Sequence, residues 1–144
     1  MECCKQLSEH KCNTVTMFQS KTIQIGDPPM MTFGLKGCTA VAVIRGKTAR
    51  LYHCDPALFT LENVKVKAGD VITVKTPSKF VKRDDGKWDS VSNATADAYI
   101  KKWRLIAKSV NIVLYSTVFG GSSKPNTRQM VVYSGPDGFK VKAY

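Results

Sequence analysis

Alternation of apolar and polar residues near the start of the chain predicts short β-strands. The stretches NTVTMFQ (13–19) and KTIQIG (21–26) alternate with a period of two, which turns every second side chain toward one face of a sheet. The prolines of GDPPMM (26–31) interrupt this pattern, because proline cannot donate a hydrogen bond to a strand ladder. We therefore expect two strands followed by a turn.

The middle of the chain predicts a buried hairpin. CTAVAVIRG (38–46) is a mostly apolar run of small and β-branched residues, which is typical of a fully buried strand. A tight connection at Gly46 leads into TARLYH (48–53), and two such runs joined by a short turn form an antiparallel hairpin. Similar patterns predict further strands at 64–68 and 71–76 around an Ala-Gly-Asp turn, a second hairpin around Asp85-Gly86, and strands at 111–121, 128–134 and 139–144.

One helix is predicted, over NATADAYIKKWRLIAKSV (93–110). Asn93 is suited to cap it, and Asp97 lies in the first turns, where a negative charge complements the helix dipole. Apolar residues recur at helical spacing and form one stripe: Ala96, Tyr99, Ile100, Trp103, Ala107 and Val110. Lys101, Lys102 and Arg104 occupy the other side, which indicates a solvated face or a binding surface.

These elements predict an α+β fold, with a strand-rich, sandwich-like sheet core packed against one main helix and short helical turns. One such turn is expected at 55–63, with Asp55 as its cap. At 144 residues the chain is expected to be a single domain, 1–144, in which residues 1–12 form a loosely ordered tail. No run is long and apolar enough for a membrane span or a secretory signal, so we expect a cytoplasmic protein, or an effector delivered into a host cytosol.

The charge balance is strongly basic, with 22 Lys and Arg against 11 Asp and Glu, for a net charge of +11. Such an excess is typical of proteins that bind nucleic acid, an anionic membrane or an acidic protein. The basic residues are scattered, however, and no five-residue block is uniformly basic. A basic surface that steers the protein toward an acidic partner agrees with the sequence equally well.

The five cysteines are an odd number, which together with the missing signal sequence argues for reduced thiols rather than a disulfide framework. A set of four zinc-ligand types lies near the N-terminus: Cys3, Cys4, His10 and Cys12. Its spacing lacks the paired knuckles typical of zinc sites, and adjacent cysteines chelate one tetrahedral ion poorly. We expect no metal and no cofactor.

Cys38 and His53 are brought together by the predicted hairpin. If paired residues have numbers that sum to about 91–93, Cys38 at the start of one strand lies almost opposite His53 at the end of the next. Directly opposed side chains have Cβ atoms about 4.5–5.5 Å apart, within reach of a thiol–imidazole contact. Cys54, the neighbour of His53, is expected on the opposite face as a core residue.

A cysteine beside a histidine is the arrangement that nucleophilic catalysis by a thiol requires, because the imidazole removes the thiol proton. Gly34 and Gly37 let the backbone turn sharply before Cys38, so N–H groups near it, those of Gly37 and Thr39, are candidates for an oxyanion hole. A third group must orient the imidazole. The candidates are Thr32, through its hydroxyl or its carbonyl, and Asp55.

The element TFGLKGC, followed by a strand, a turn and LYH, resembles the cysteine-dependent protein glutamine deamidases. That group includes the chemotaxis-receptor deamidase CheD, the catalytic domain of cytotoxic necrotizing factor and the Burkholderia lethal factor. The residues that match the family pattern are Thr32, Leu35, Gly37, Cys38 and His53, whereas Lys36 stands where the toxin motif has serine. The resemblance covers about residues 32–56, roughly a sixth of the chain.

This resemblance implies an enzyme that converts a specific glutamine of a partner protein to glutamate, through a thioester on Cys38 with His53 as acid and base. Two alternatives remain from the residues. One is another Cys-His hydrolase or acyl transferase with the same site. The other is a non-enzymatic basic module that binds nucleic acid or an acidic protein through Lys101, Lys102 and Arg104.

Overall fold

The computed structural model describes residues 13–16, 19–33, 35, 38–54, 64–76, 79–82, 85, 88–91, 94–118 and 129–143. Within these residues the chain forms eleven strands and one helix, α1 (Ala94–Ser109). The strands are β1 (Asn13–Thr14), β2 (Ser20–Gln24), β3 (Met30–Phe33), β4 (Thr39–Arg45), β5 (Thr48–Cys54), β6 (Val71–Thr76), β7 (Lys79–Lys82), β8 (Trp88–Val91), β9 (Val113–Val118), β10 (Gln129–Gly135) and β11 (Gly138–Ala143).

The strands are arranged in two mixed sheets and a separate hairpin. The first sheet has the order β1-β3-β10-β11, the second sheet has the order β2-β5-β4-β6-β9, and β7 pairs with β8. Strand pairs β1–β3 and β6–β9 are parallel, and the other neighbours are antiparallel. The predicted α+β fold with a sheet core is confirmed.

The central strand β4 of the second sheet is buried on both faces. One face of this sheet carries Ala40, Ala42 and Leu51 into an inter-sheet core, where they pack in one cluster with Met30 and Met130 of the first sheet. The opposite face contributes to a helix-side core, whose members include Val41, Val43, Ile72, Val74, Tyr99 and Trp103. Burial on both faces explains why β4 is apolar almost throughout, as the sequence predicts.

The β4–β5 hairpin is closed by the two residues Gly46 and Lys47, between the paired residues Arg45 and Thr48. Gly46 has a φ of 58°. A positive φ at the first central residue is the feature of a type II′ turn, where a side chain would be strained. The predicted hairpin is therefore confirmed, and Gly46 is the residue that permits its tight turn.

The predicted turn over 26–31 proves too long. β3 begins at Met30, directly after the two prolines, and pairs with β1 and β10. Proline lacks a donor but keeps its acceptor, and the carbonyl of Pro29 accepts a hydrogen bond of 2.8 Å from the N–H of Asn13. The prolines therefore lead into the strand instead of preventing it.

The predicted strand over 64–68 is wrong, since the described residues there form turns and irregular chain. The carboxylate of Asp70 accepts a hydrogen bond of 2.8 Å from the N–H of Lys67, and Arg45 donates one of 3.0 Å to the carbonyl of Lys65. These side chains satisfy backbone groups that a ladder would otherwise occupy. Local hydrogen bonding thus overrides the alternating pattern of this segment.

Helix α1 confirms the predicted apolar stripe where its side chains are described. Tyr99, Ile100 and Trp103 are buried, and the basic residues Lys101 and Arg104 are exposed. The Asn93 cap, the short helical turn at 55–63 and the tail at 1–12 lie outside the described residues. Among the described residues, no helix has the length and apolar character needed to cross a membrane.

An ion pair between the buried carboxylate of Asp70 and the partly exposed Arg45 fixes the turn before β6. Both carboxylate oxygens of Asp70 accept hydrogen bonds from Arg45, from Nε at 2.8 Å and from Nη2 at 2.8 Å. The side chain of Asp70 is 1% exposed. Burial alone would raise the pKa of Asp70, but the hydrogen bonds from Arg45 and from the N–H of Lys67, with the charges of both residues, hold that pKa below its ordinary value.

The Asp70→Asn variant is expected to lose about 2 kcal/mol of unfolding free energy at neutral pH, because an amide cannot replace the charged acceptor. A carboxyl whose pKa is lower in the folded state contributes stability above its unfolded pKa of about 3.9, and loses it as the pH falls further. The difference between wild type and variant in urea unfolding should therefore shrink at acid pH. Asp137→Asn, at an exposed turn residue, is the control and should change stability little; equal stability of Asp70→Asn and wild type at neutral pH would contradict this reading.

Candidate active site

His53 lies near the end of β5 and faces the inter-sheet core, on the same side of the strand as Ala49 and Leu51. The residue is 3% exposed. Its backbone N–H donates a hydrogen bond of 3.0 Å to the carbonyl of Gln19, which fixes the end of the strand. The imidazole is therefore held between the two sheets.

Thr32 meets this imidazole from the opposite sheet. It lies on β3, is fully buried, and pairs with Met130 in the ladder of the first sheet. Its Oγ1 is 2.6 Å from Nδ1 of His53, and the same hydroxyl donates a hydrogen bond of 2.7 Å to the carbonyl of Val15. Of the two orienting residues that the sequence offers, the structure brings Thr32 to the imidazole, while Asp55 lies outside the described residues.

The hydrogen bonds of Thr32 are linked to the tautomer of His53, because a threonine hydroxyl has only one proton. When that proton is donated to the carbonyl of Val15, the hydroxyl accepts from Nδ1–H of His53. In that tautomer Nε2 carries the lone pair. Nε2 is buried and has no hydrogen-bond partner in the part of the chain that the structure describes.

Burial lowers the pKa of His53, and a weaker opposing effect comes from the backbone carbonyl of Val15. Since an ordinary histidine has a pKa of about 6.5, a lowered value keeps this imidazole neutral at pH 7. The structure therefore places a neutral imidazole in the inter-sheet core.

Cys38 lies immediately before β4, is 8% exposed, and belongs to the inter-sheet core. The observed register corrects the predicted opposition, because paired residues sum to 93 and Ala40 is the residue opposite His53. Cys38 is two residues from Ala40, so its strand position is diagonal to His53 and on the same face. Diagonal neighbours have Cα atoms about 7–8 Å apart, a longer separation than that of directly opposed residues. Sγ of Cys38 makes no hydrogen bond to Nε2 of His53 in this structure.

Cys54 lies on the other face of β5, in the helix-side core. Its Sγ donates a hydrogen bond of 3.3 Å to the carbonyl of Thr39. Neither Cys54 nor Cys38 forms a disulfide. The two described cysteines are thus similarly buried but lie on opposite faces of the second sheet, and only Cys38 shares a face with His53.

Thr39 begins β4, and its side chain is also engaged. Its Oγ1 is 3.0 Å from Oγ1 of Thr76, and its carbonyl accepts the bond from Cys54. A role of Thr39 in binding an oxyanion would therefore depend on its N–H. Gly34 and Gly37, which the sequence associates with the same function, lie outside the described residues.

The carbonyl of Val15 is a part of the site that the sequence does not identify. It accepts the proton of Thr32 and so determines which way that hydroxyl points. A backbone carbonyl has no residue signature, and residues 13–19 suggest only strand. Among the described residues no group of three or more His, Cys, Asp or Glu could hold a metal ion, and the Cys3, Cys4, His10 and Cys12 set lies outside them.

No family model matches the chain, and no curated protein matches it.

Proposed function

We propose that this protein is a cysteine-dependent glutamine deamidase that acts on a partner protein. Cys38 is the nucleophile, His53 is the general base and acid, and Thr32 is a positioning residue. The observation that carries the proposal is the 2.6 Å contact between Thr32 Oγ1 and His53 Nδ1. With the proton of His53 on Nδ1, Nε2 is the proposed acceptor of the thiol proton. The shared face of His53 and Cys38 in the second sheet supports the same assignment.

The first half of the reaction forms a thioester. Nε2 of His53 takes the proton of the Cys38 thiol as the sulfur attacks the side-chain amide carbon of the glutamine. The tetrahedral oxyanion is stabilised by backbone N–H groups near Cys38, with Gly37 and Thr39 as the proposed donors. The carbon–nitrogen bond then breaks, and the proton on Nε2 passes to the leaving nitrogen, so that ammonia departs.

The second half of the reaction returns the enzyme to its starting state. Nε2 takes a proton from water as the water oxygen attacks the thioester carbon, and the carbon–sulfur bond breaks. The released thiolate recovers the proton from His53, and the glutamine has become glutamate. The reaction is a hydrolysis and requires no cofactor.

The partner is proposed to present its glutamine beside an acidic surface. A net charge of +11 favours encounter with negatively charged proteins. Exposed basic residues on α1, among them Lys101 and Arg104, add to this field. The charge therefore affects the choice and the rate of association of the substrate protein, while the Cys38 and His53 pair performs the chemistry.

The proposal is tested by the pH dependence of Cys38 alkylation with iodoacetamide, followed by peptide mass spectrometry. We expect Cys38 to react at least about tenfold faster than Cys54 at pH 6–7, since only Cys38 shares a face with a neutral imidazole. Cys54 serves as an internal control of similar burial. The advantage should disappear in His53→Gln, a variant whose fold is checked by circular dichroism.

The protein products then distinguish a deamidase from a protease. A lysate of candidate substrate proteins is incubated with the enzyme, and the products are searched for glutamine-to-glutamate conversion. Glutamate at one glutamine with the backbone intact supports the deamidase. Cleaved peptide bonds would instead assign the same site to a protease. Equal alkylation of Cys38 and Cys54 in the folded protein would overturn the catalytic assignment altogether.

A further inference from the structure

A surface cavity of about 450 Å³ lies on the side of the second sheet opposite to the side that His53 faces. We name it the cationic cleft, after the polar residues that line it: Thr22, Arg45, Thr48, Arg50, Tyr52 and Lys65. Arg50 on β5 pairs with Thr22 on β2 at one side and with Val43 on β4 at the other. The cleft thus has a floor of regular sheet, and its size is within the range of small-molecule sites, about 300–1,000 Å³.

The cations of the cleft differ in how they are paired. Arg45 forms its ion pair with Asp70. Arg50 instead is held by neutral groups, with Nε and Nη2 at 3.2 and 2.8 Å from Oγ of Ser20 and the guanidinium 5.3 Å from the centre of the Tyr52 ring. None of the described residues that line the cleft is acidic. Arg50 and Lys65 therefore bring positive charge that no carboxylate among the lining residues offsets.

The position of Lys65 is set by an unusual backbone conformation. Its φ is 51°, and it is the one described residue other than glycine with a positive φ. The Nη2 of Arg45, itself anchored on Asp70, donates a hydrogen bond of 3.0 Å to the carbonyl of Lys65. A left-handed lysine is retained only where its surroundings determine it, and such conformations cluster at functional sites. The ion pair between Arg45 and Asp70 thus holds a strained residue at the rim of the cleft.

We propose that the cationic cleft binds a phosphate group, either as inorganic phosphate or as the phosphate of a small monoester. Arg50 gives Nε and one N–H of Nη2 to Ser20, which leaves the donors of Nη1 and the second N–H of Nη2, and Lys65 adds a compact positive charge. The hydroxyl of Thr22 lies at the same cleft, whereas that of Thr48 donates a hydrogen bond of 3.0 Å to the carbonyl of Arg45. A phosphate carries close to two negative charges and several acceptor oxygens, so it matches two cations and a hydroxyl donor better than a carboxylate does. The cavity also leaves room for the remainder of a monoester.

The experiment is a titration of the ¹⁵N-labelled protein, followed by NMR. Inorganic phosphate and glycerol 3-phosphate are added at constant ionic strength, with acetate as the comparison anion. We expect saturable shifts of the backbone amides around the cleft with both phosphates and none with acetate. Tighter binding of glycerol 3-phosphate identifies a monoester site, and equal binding identifies a site for the free ion.

Two variants and one matched control test the assignment of the residues. Arg50→Gln removes one cation, and Lys65→Asn removes the other while placing the residue type that best tolerates a positive φ after glycine. Each is expected to weaken binding about tenfold, the effect of losing one charge-assisted contact. Lys101→Gln removes the same charge from the exposed face of α1 and should change affinity less than about twofold.

The proposal is overturned if the wild type shows no saturable binding, or if all three variants weaken it equally, since that would indicate only the general charge of the protein. It does not depend on the proposed enzyme activity. The cleft and the imidazole of His53 lie on opposite faces of the second sheet, so Cys38→Ser is expected to bind phosphate as the wild type does. Loss of catalysis and loss of phosphate binding are therefore separable results.

Discussion

Cys38→Ser is expected to lower ammonia release from a glutamine-containing substrate by at least about a thousandfold, because removal of a catalytic nucleophile typically costs that much or more. The serine hydroxyl is far less acidic than a thiol, and Nε2 of a buried, neutral His53 would have to remove its proton. The substitution changes one atom in the inter-sheet core. The folded state should therefore persist, and urea unfolding should show it.

The matched control is Cys54→Ser. Cys54 is as buried as Cys38 but lies in the helix-side core, where its thiol bonds the carbonyl of Thr39. A serine hydroxyl is able to make the same bond, so catalysis per folded molecule should stay close to that of the wild type. Cys38→Ser with full activity, or Cys54→Ser with none, would remove Cys38 from the role of nucleophile.

The β4–β5 hairpin and helix α1 could be predicted because each is specified by local pattern. Gly46 permits the tight turn between two strand-like runs, and Tyr99 and Trp103 lie on one face at helical spacing. The order of the strands in the sheets, in contrast, is not specified by local pattern. Parallel pairing of β6 with β9 joins segments that are some forty residues apart, and no turn chemistry specifies it.

In the segment 64–68 apolar and polar residues alternate as in a strand, but the strand that this pattern predicts does not form. Val64 and Val66 alternate with Lys65 and Lys67, yet Asp70 and Arg45 satisfy backbone groups of the segment instead of a neighbouring strand. The partner Arg45 is twenty residues from Lys65 in sequence, so the pattern of the segment itself cannot reveal the competition.

The candidate site was predictable to the extent that it depends on one hairpin. The two-residue turn at Gly46 and Lys47 fixes which residues of β4 and β5 share a face, and this brings Cys38 and His53 to one side. Because the turn is closed between Arg45 and Thr48, the residue opposite His53 is Ala40, and Cys38 lies two residues before it. The contact of Thr32 with His53 depends on packing between the sheets, and the sequence offered Thr32 only as one of two candidates for orienting the imidazole, beside Asp55.

Thr32→Val is expected to lower kcat by about a hundredfold or more, since general base catalysis by a positioned group contributes about 10²–10⁴. Valine has the shape of threonine but cannot accept the hydrogen bond from Nδ1–H. The imidazole is then free to populate the tautomer with its proton on Nε2, which cannot accept the proton of Cys38. KM should change little, because Thr32 is proposed to act only through the imidazole of His53.

The pH profile separates this effect from a change of fold. Burial lowers the pKa of His53, so in the wild type the acid limb of kcat/KM should lie below about 6.5. Loss of the Thr32 acceptor removes one hydrogen bond to the imidazolium, so the limb in Thr32→Val should not move to higher pH. The rate should therefore fall by a similar factor across neutral pH, where the imidazole is neutral and its tautomer is no longer held by Thr32.

Thr32→Ser is the variant that decides whether Thr32 acts through its hydroxyl. Serine keeps both the bond to the carbonyl of Val15 and the acceptor for Nδ1, although it loses a buried methyl group. We expect it to be somewhat less stable than the wild type and to recover most of the activity and the fast alkylation of Cys38. If Thr32→Val alkylates Cys38 as fast as the wild type does, or if Thr32→Ser is as slow as Thr32→Val, the hydroxyl does not orient the base. The 2.6 Å contact would then be a feature of sheet packing alone.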